Sequence, residues 1–287
     1  LGQTTRKFAI GARIKRLVIP GFANVNFPLF ISQNTFQFST MVKALVTTVI
    51  VIALTLISQL GGLAWIIAMP FRRRVIAFIL AYITLSVAAV WIAPKFGRVP
   101  LSCFDSGSLA MQSKMYCALN RNYVVPELKE ALIDVSTAMS DKYTGTKTLV
   151  LDANFPFLKG FPLLPHLSHD DGEKVDLAFY YRDENAYLPS QTKSPIGYFA
   201  FEDGPTVCPK QTLTLRWDMA WLQGGWPDYQ IDETRMKTVL QLLVADHRIG
   251  KVLVEPHLVE QLGTQNAKIR FQGCRAARHD DHIHIQL

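Results

Sequence analysis

Arg278-His279-Asp280-Asp281-His282-Ile283-His284-Ile285-Gln286 and Val175-Asp176-Leu177-Ala178-Phe179-Tyr180-Tyr181 are the segments that decide the fold. Side chains two apart on a strand share a face. The alternation therefore predicts a strand over 282–286, with Ile283 and Ile285 on one side and His282 and His284 on the other. A second strand is expected over 175–181, with Val175, Leu177 and Phe179 set against Asp176, Ala178 and Tyr180. Working outward, Leu128, Leu132, Val135 and Met139 recur at helical spacing, which predicts a helix over 126–139 opened by Pro126. A further helix is expected to be capped by Asp232, to carry Met236, Val239, Leu240, Leu243 and Val244 on its apolar face, and to end at Gly250. Residues 148–151, 212–216, 251–254 and 268–272 read as short strands. The expectation is an α+β fold: a small, mostly antiparallel sheet with flanking helices, preceded by a two-helix transmembrane hairpin.

The hairpin is read from 44–69 and 75–93, two uncharged, largely apolar stretches around Pro70-Phe71-Arg72-Arg73-Arg74. Each is long enough to cross the ~30 Å hydrocarbon core. Positive loops stay cytoplasmic, so the Arg triplet is expected inside and everything after Pro94 outside. Residues 1–40 carry five basic charges and oppose that orientation. Met41 is accordingly the expected natural start, with 1–40 a segment of uncertain origin, 41–97 the membrane hairpin and 98–287 the catalytic domain.

The net charge of +7 suggests a nucleic-acid partner only until its distribution is seen. Eleven of the thirty Lys and Arg residues precede Asp105, the first acidic residue. The remainder is mildly acidic, which argues against a nucleic-acid footprint. All four cysteines (Cys103, Cys117, Cys208 and Cys274) lie after the two apolar stretches, and none forms a CxxC pair. Their spacing suits disulfides in an oxidising compartment, with three full pairings open.

Five of the seven histidines fall in two clusters, His166-Leu167-Ser168-His169 and His279-Asp280-Asp281-His282-Ile283-His284. If the strands at 176 and 284 are neighbours, a loop histidine, His169, can join Asp176 and His284 at one point. Gly172 lets that loop turn tightly. Two imidazoles and a carboxylate suit Zn²⁺ and leave a fourth position for water. His282, on the same strand face, is expected as general base or oxyanion stabiliser. His166 and His279 are expected nearby, and Asp280 and Asp281 are expected to orient imidazoles. His247 reads as structural, His257 as a minor candidate for the cleft, and Trp217, Asp218 and Trp221 as core packing rather than substrate binding.

The run His166-Leu-Ser-His169-Asp-Asp-Gly172-Glu-Lys-Val-Asp176 resembles the H-x-SH-x₂-G-x₂-VD signature of penicillin-insensitive murein endopeptidases, and 278–284 resembles their HDDHxH ending. The wider superfamily includes lysostaphin, D-alanyl-D-alanine carboxypeptidases and the hedgehog signalling domain. The resemblance spans roughly residues 105–287, with divergent loops. It implies that His169, Asp176 and His284 bind zinc, that His282 is catalytic, and that His166 and His279 belong to the active site. It further implies peptidoglycan as substrate, cleaved at the D-alanyl–meso-diaminopimelyl cross-link, while the hairpin and the cysteines give the expectation of an inner-membrane anchor with the domain facing the periplasm. A related D,D- or L,D-carboxypeptidase and a non-catalytic wall-binding module are the alternatives. The membrane hairpin and the count of four cysteines depart from the soluble family pattern and bear on which bond is cut. Oligomeric state is left open.

Overall fold

The computed structural model describes residues 31–104, 107–184, 186–209, 213–217 and 219–287. Residues 1–30 of the expected N-terminal segment, and Asp218, lie outside the described residues. The chain divides into two compact units, Leu1–Val46 and Thr47–Leu287. The elements are α1 (Ile31–Ser58), α2 (Gly61–Ala68), α3 (Arg74–Ile92), β1 (Val99–Pro100), β2 (Leu109–Met111), α4 (Lys114–Ala118), β3 (Tyr123–Val124), α5 (Pro126–Lys142), β4 (Thr148–Val150), β5 (Lys174–Ala178), β6 (Tyr181–Asp183), β7 (Ala186–Tyr187), α6 (Ala220–Gln223), β8 (Gln230–Ile231), α7 (Glu233–Ala245), β9 (Lys251–Leu253), α8 (Pro256–Leu262), β10 (Ile269–Arg270) and β11 (His282–Gln286).

Two helical stretches are long and apolar enough to cross a membrane, Thr40–Ser58 and Arg74–Phe96. The first apolar run is not the single helix expected over 44–69. It breaks after Ser58, where Gln59 takes a left-handed φ of 59°. Gly61 and Gly62 then bring α2 back against α1: a Cβ at Gly62 would meet the Thr55 Oγ1 at 1.9 Å, and one at Gly61 the Leu54 carbonyl at 2.7 Å. Only glycine permits that approach. The ends of α1 and α3 both reach the folded domain. Phe157 N–H donates to Gln59 Oε1 at 3.0 Å, and the Phe157 ring lies 5.2 Å from that of Phe96.

The remaining structure is mixed α and β, built on a sheet larger than the small one expected. Six strands run in the order β10-β9-β11-β5-β4-β2. The contacts of β11 with β5 and β9, and of β4 with β5, are antiparallel, while β10–β9 and β2–β4 are parallel. Smaller sheets pair β1 with β3, and β7-β6-β8. The expected strand over 175–181 splits into β5 and β6 at Phe179-Tyr180, which gives one strand to each of two sheets. The expected strand at 212–216 is irregular where it is described. The Asp232 cap forms, its Oδ1 accepting from Arg235 N–H at 3.0 Å, but α7 ends at Ala245 rather than Gly250. Asp246 stops it by turning its carboxylate onto Arg248 N–H at 2.9 Å. Gly250 has another task, since a Cβ there would meet the Leu287 backbone at 3.1 Å.

One core holds the sheet to α5 and α7. Leu128, Leu132, Val135 and Met139 of α5, and Met236, Val239, Leu240 and Leu243 of α7, pack with Val175, Leu177, Ile283 and Ile285. Burying each such side chain contributes about 1.5–3 kcal/mol. This apolar face anchors β5 and β11, so their opposite face is held at fixed register. The cysteines pair as Cys103–Cys117 and Cys208–Cys274, the first tying α4 to the segment after β1.

Candidate active site

The antiparallel register of β11 on β5 sets His284 opposite Asp176 and His282 opposite Ala178. With Ile283 and Ile285 turned fully into the core, both histidines face the other way beside Asp176. The chain before β5 supplies the third element. His169 N–H donates to the His166 carbonyl at 3.0 Å, forming a tight turn. Gly172 closes that loop at φ 92°, where a Cβ would sit 3.1 Å from both Arg98 Nε and Val125 Cγ1. Glycine at 172 thus has two physical grounds, conformation and close packing.

Three ligand-type atoms converge. His284 Nδ1 lies 2.8 Å from Asp176 Oδ1, His169 Nε2 lies 3.1 Å from His284 Nδ1, and His169 Nε2 lies 3.3 Å from Asp176 Oδ1. All three residues are buried. His166, His169 and Asp176 also form a group whose ligand atoms lie within 4.8 Å of one another and that can hold a metal ion. His166 is engaged elsewhere, however. Its Nδ1 lies 3.1 Å from Asp152 Oδ2, and an ionised carboxylate only accepts, so Nδ1 carries the proton. His169 is held through its other nitrogen: Nδ1–H donates to the Ala153 carbonyl at 3.0 Å, which directs Nε2 toward Asp176 and His284.

His282 also lies at the centre. Its Nδ1 donates to Asp281 Oδ1 at 2.5 Å, and its Nε2 points back to within 3.7 Å of Asp176 Oδ1. Asp281 is held in turn by Phe199 N–H at 2.7 Å. The expected partner role therefore falls to Asp281 alone. Asp280 instead accepts a forked pair of bonds from Arg278, at 2.9 and 2.5 Å. His279 is buried with its ring centroid 4.9 Å from His282 and 5.7 Å from His284, and its Nδ1 has no hydrogen-bond partner among the described residues.

No protein-family model matches the chain, and no curated protein matches it. The likeness to the murein endopeptidases rests on the two histidine-rich segments themselves.

Burial and charge compete at Asp176, His284, His279 and His282. Burial opposes ionisation of Asp176, yet His169, His282 and His166 hold it well below the usual carboxylate range. Burial pushes His284 down to about 4 against the pull of Asp176, so its ring stays neutral. Burial likewise drives His279 well below its ordinary value, with His282 and His284 adding repulsion. For His282, burial is outweighed by Asp176 and Asp281, and the value rises to about 9.

Three residues of the site were not anticipated. Asp152 follows β4, and its carbonyl accepts Asp176 N–H at 2.9 Å. Arg121 forks onto its carboxylate, with Nε donating to Oδ1 at 2.8 Å. Tyr198 donates its hydroxyl to Asp176 Oδ2 at 2.7 Å and accepts Asp152 N–H at 3.2 Å. Asp152 was traceable as a carboxylate at the end of a predicted strand. Arg121 and Tyr198 lie in irregular chain and carry no periodic signal.

A cleft of about 350 Å³ opens beside His282, lined by Leu164, Leu167, Phe199, Phe201, Leu215, Trp217 and Arg278 among others. Trp217 lies on its rim at 55 % exposure and Trp221 is 80 % exposed, so neither packs in the core as expected. Their segment has no strand to turn them inward. His257 lies at the start of α8 against Gly204, apart from this lining, and His247 is exposed beyond the end of α7.

Proposed function

We propose that this chain is a zinc-dependent endopeptidase that hydrolyses peptide cross-links of peptidoglycan at the D-alanyl–meso-diaminopimelyl bond. The observation that carries the proposal is the convergence of His169 Nε2, Asp176 Oδ1 and His284 Nδ1 within 3.3 Å of one another. Ligand atoms about 2.0–2.1 Å from one zinc ion at tetrahedral angles stand roughly 3.3 Å apart. Charge balance points the same way. Asp152, Asp176 and Asp281 are buried carboxylates around the cluster, and Arg121 is the fixed cation among them. The negative charge left over suits a divalent cation, which balances it without protonating imidazoles that must act as ligands. His169, Asp176 and His284 would hold the ion, with Tyr198 fixing the second oxygen of Asp176. Bound zinc supplies Lewis acidity toward a peptide carbonyl and lowers the pKa of water toward ~7.

The rest is done by the chain. Asp281 holds the Nδ1 proton of His282, which aims Nε2 at the cluster to take a proton or stabilise a developing oxyanion. Asp152 holds His166 in one tautomer at the edge of the cleft. The cleft lining favours cutting within a chain over trimming its end. A carboxypeptidase needs a cation for the terminal carboxylate, and among the described lining residues Arg278 is the one cation, already forked onto Asp280 and stacked 4.1 Å over the Phe201 ring. Replacing Trp217 by alanine should raise KM about tenfold and change kcat less than about threefold, because the rim binds ground and transition states alike. Steady-state kinetics on a defined muropeptide dimer checks this.

We further propose that Thr40–Ser58 and Arg74–Phe96 hold the enzyme to the inner membrane, with the disulfide-bonded domain on the periplasmic side and seated against α3 at Tyr82 and Ser86. The deciding experiment uses the full chain in detergent, metal analysis and a digest of purified muropeptides. About one zinc per chain is expected. Cross-linked dimers should become monomers, activity should vanish on chelation, and zinc should restore it. Loss of a terminal alanine without dimer cleavage would select the carboxypeptidase reading. Wall binding with no hydrolysis would select the non-catalytic one.

A further inference from the structure

The helix α3 is apolar along its length except for a few groups, and two of these, Tyr82 and Ser86, lie one turn apart. Both meet the same residue of the folded domain. Asn120 Nδ2 donates to the Tyr82 hydroxyl at 2.9 Å and to Ser86 Oγ at 3.1 Å, and the Tyr82 hydroxyl donates onward to the Ala118 carbonyl at 2.7 Å. Asn120 is buried and holds a left-handed φ of 57°, a conformation that asparagine tolerates better than most residues. The chain is locked on both sides of it. Cys117 is bridged to Cys103, and Asn122 Nδ2 donates to the Leu101 carbonyl at 2.8 Å.

The next residue is Arg121. Its guanidinium grips the site from two directions, forking onto Asp152 and donating from Nη1 to the Leu164 carbonyl at 2.8 Å. Asp152 holds His166 by its side chain, and Leu164 lies two residues before His166 in the chain. Arg121 also accepts Ala153 N–H at its carbonyl, 3.0 Å, and Ala153 in turn accepts the Nδ1 proton of His169. Consecutive residues therefore bind the apolar helix and the scaffold of two site histidines.

We propose that Asn120 is a positioning residue, which pins α3 to the knuckle at 117–122 and through Arg121 sets the placement of the segments carrying His166 and His169. The helix is on this account a working part of the catalytic unit rather than a tether. The proposal rests on the catalytic reading of the cleft, but its first readout does not.

The test uses the full chain in detergent with Asn120→Gly, Tyr82→Phe and the double variant. Glycine keeps the left-handed backbone and removes only the amide. Hydrogen exchange should quicken about tenfold in peptides covering 151–154 and 164–169 and stay unchanged in α7. On muropeptide dimers, kcat should fall about tenfold with KM within about twofold, and the double variant should be no worse than Asn120→Gly. Unchanged exchange at 151–154 and 164–169 in Asn120→Gly would overturn the proposal, and so would uniform acceleration that includes α7. A wild-type chain that hydrolyses nothing would remove the endopeptidase reading and leave the exchange result to decide the pin.

Discussion

Replacing Asp176 by alanine is expected to reduce bound metal to background and to lower muropeptide turnover by at least about a thousandfold. No other side chain touches so much of the cluster. Its Oδ1 lies against His284 and His169, and its Oδ2 accepts from Tyr198 and lies 3.3 Å from His166 Nδ1. Removal takes away one ligand and also the anion around which three imidazoles are arranged. Asp176→Asn is the informative companion. It preserves the volume and one oxygen but loses the charge, so metal affinity should still fall by roughly 10–100-fold or more. Elemental analysis after dialysis, followed by the dimer digest, measures both effects. A variant that keeps its zinc would take Asp176 out of the ligand set and turn attention to His166.

The second large effect is expected at His282, and it should separate metal from turnover. In His282→Ala the zinc content should be unchanged, while kcat falls by about 10²–10⁴ with KM little altered. The ring belongs to the cleft lining, and its Nδ1 is committed to Asp281, so Nε2 is the atom available to substrate. Asp281→Asn should reproduce part of the loss by releasing the ring from its tautomer. Full turnover in His282→Ala would transfer the proton-handling role to His166 or His279, which face the same cluster.

The face-sharing logic of strands carried the central prediction far. His282, His284, Ile283 and Ile285 fall on the sides that alternation assigns them, and the neighbouring strand is the one bearing Asp176. Helices with clear apolar stripes, α5 and α7, could be read for the same reason, because burial imposes a period on sequence. Features held together by single contacts could not. Arg121 and Tyr198 reach the site from irregular segments whose course depends on the whole fold. The break between α1 and α2 depends on one left-handed glutamine and two glycines inside a run that reads as uniformly apolar. Trp217 and Trp221 are exposed against expectation, because the area that favours burial of tryptophan does so only on average.

The placement of β11 between β5 and β9 makes it the seam of the main sheet. Without it, two strands lie on one side and three on the other, with no pairing between them. The same five residues carry His282 and His284. Stitching the sheet together and bringing these histidines to Asp176 are hence one event. A chain in which β11 is unpaired has no assembled cluster, so unfolding of this strand should release a bound ion and divide the sheet in one step. Strand order thus couples the integrity of the sheet to the integrity of the histidine cluster.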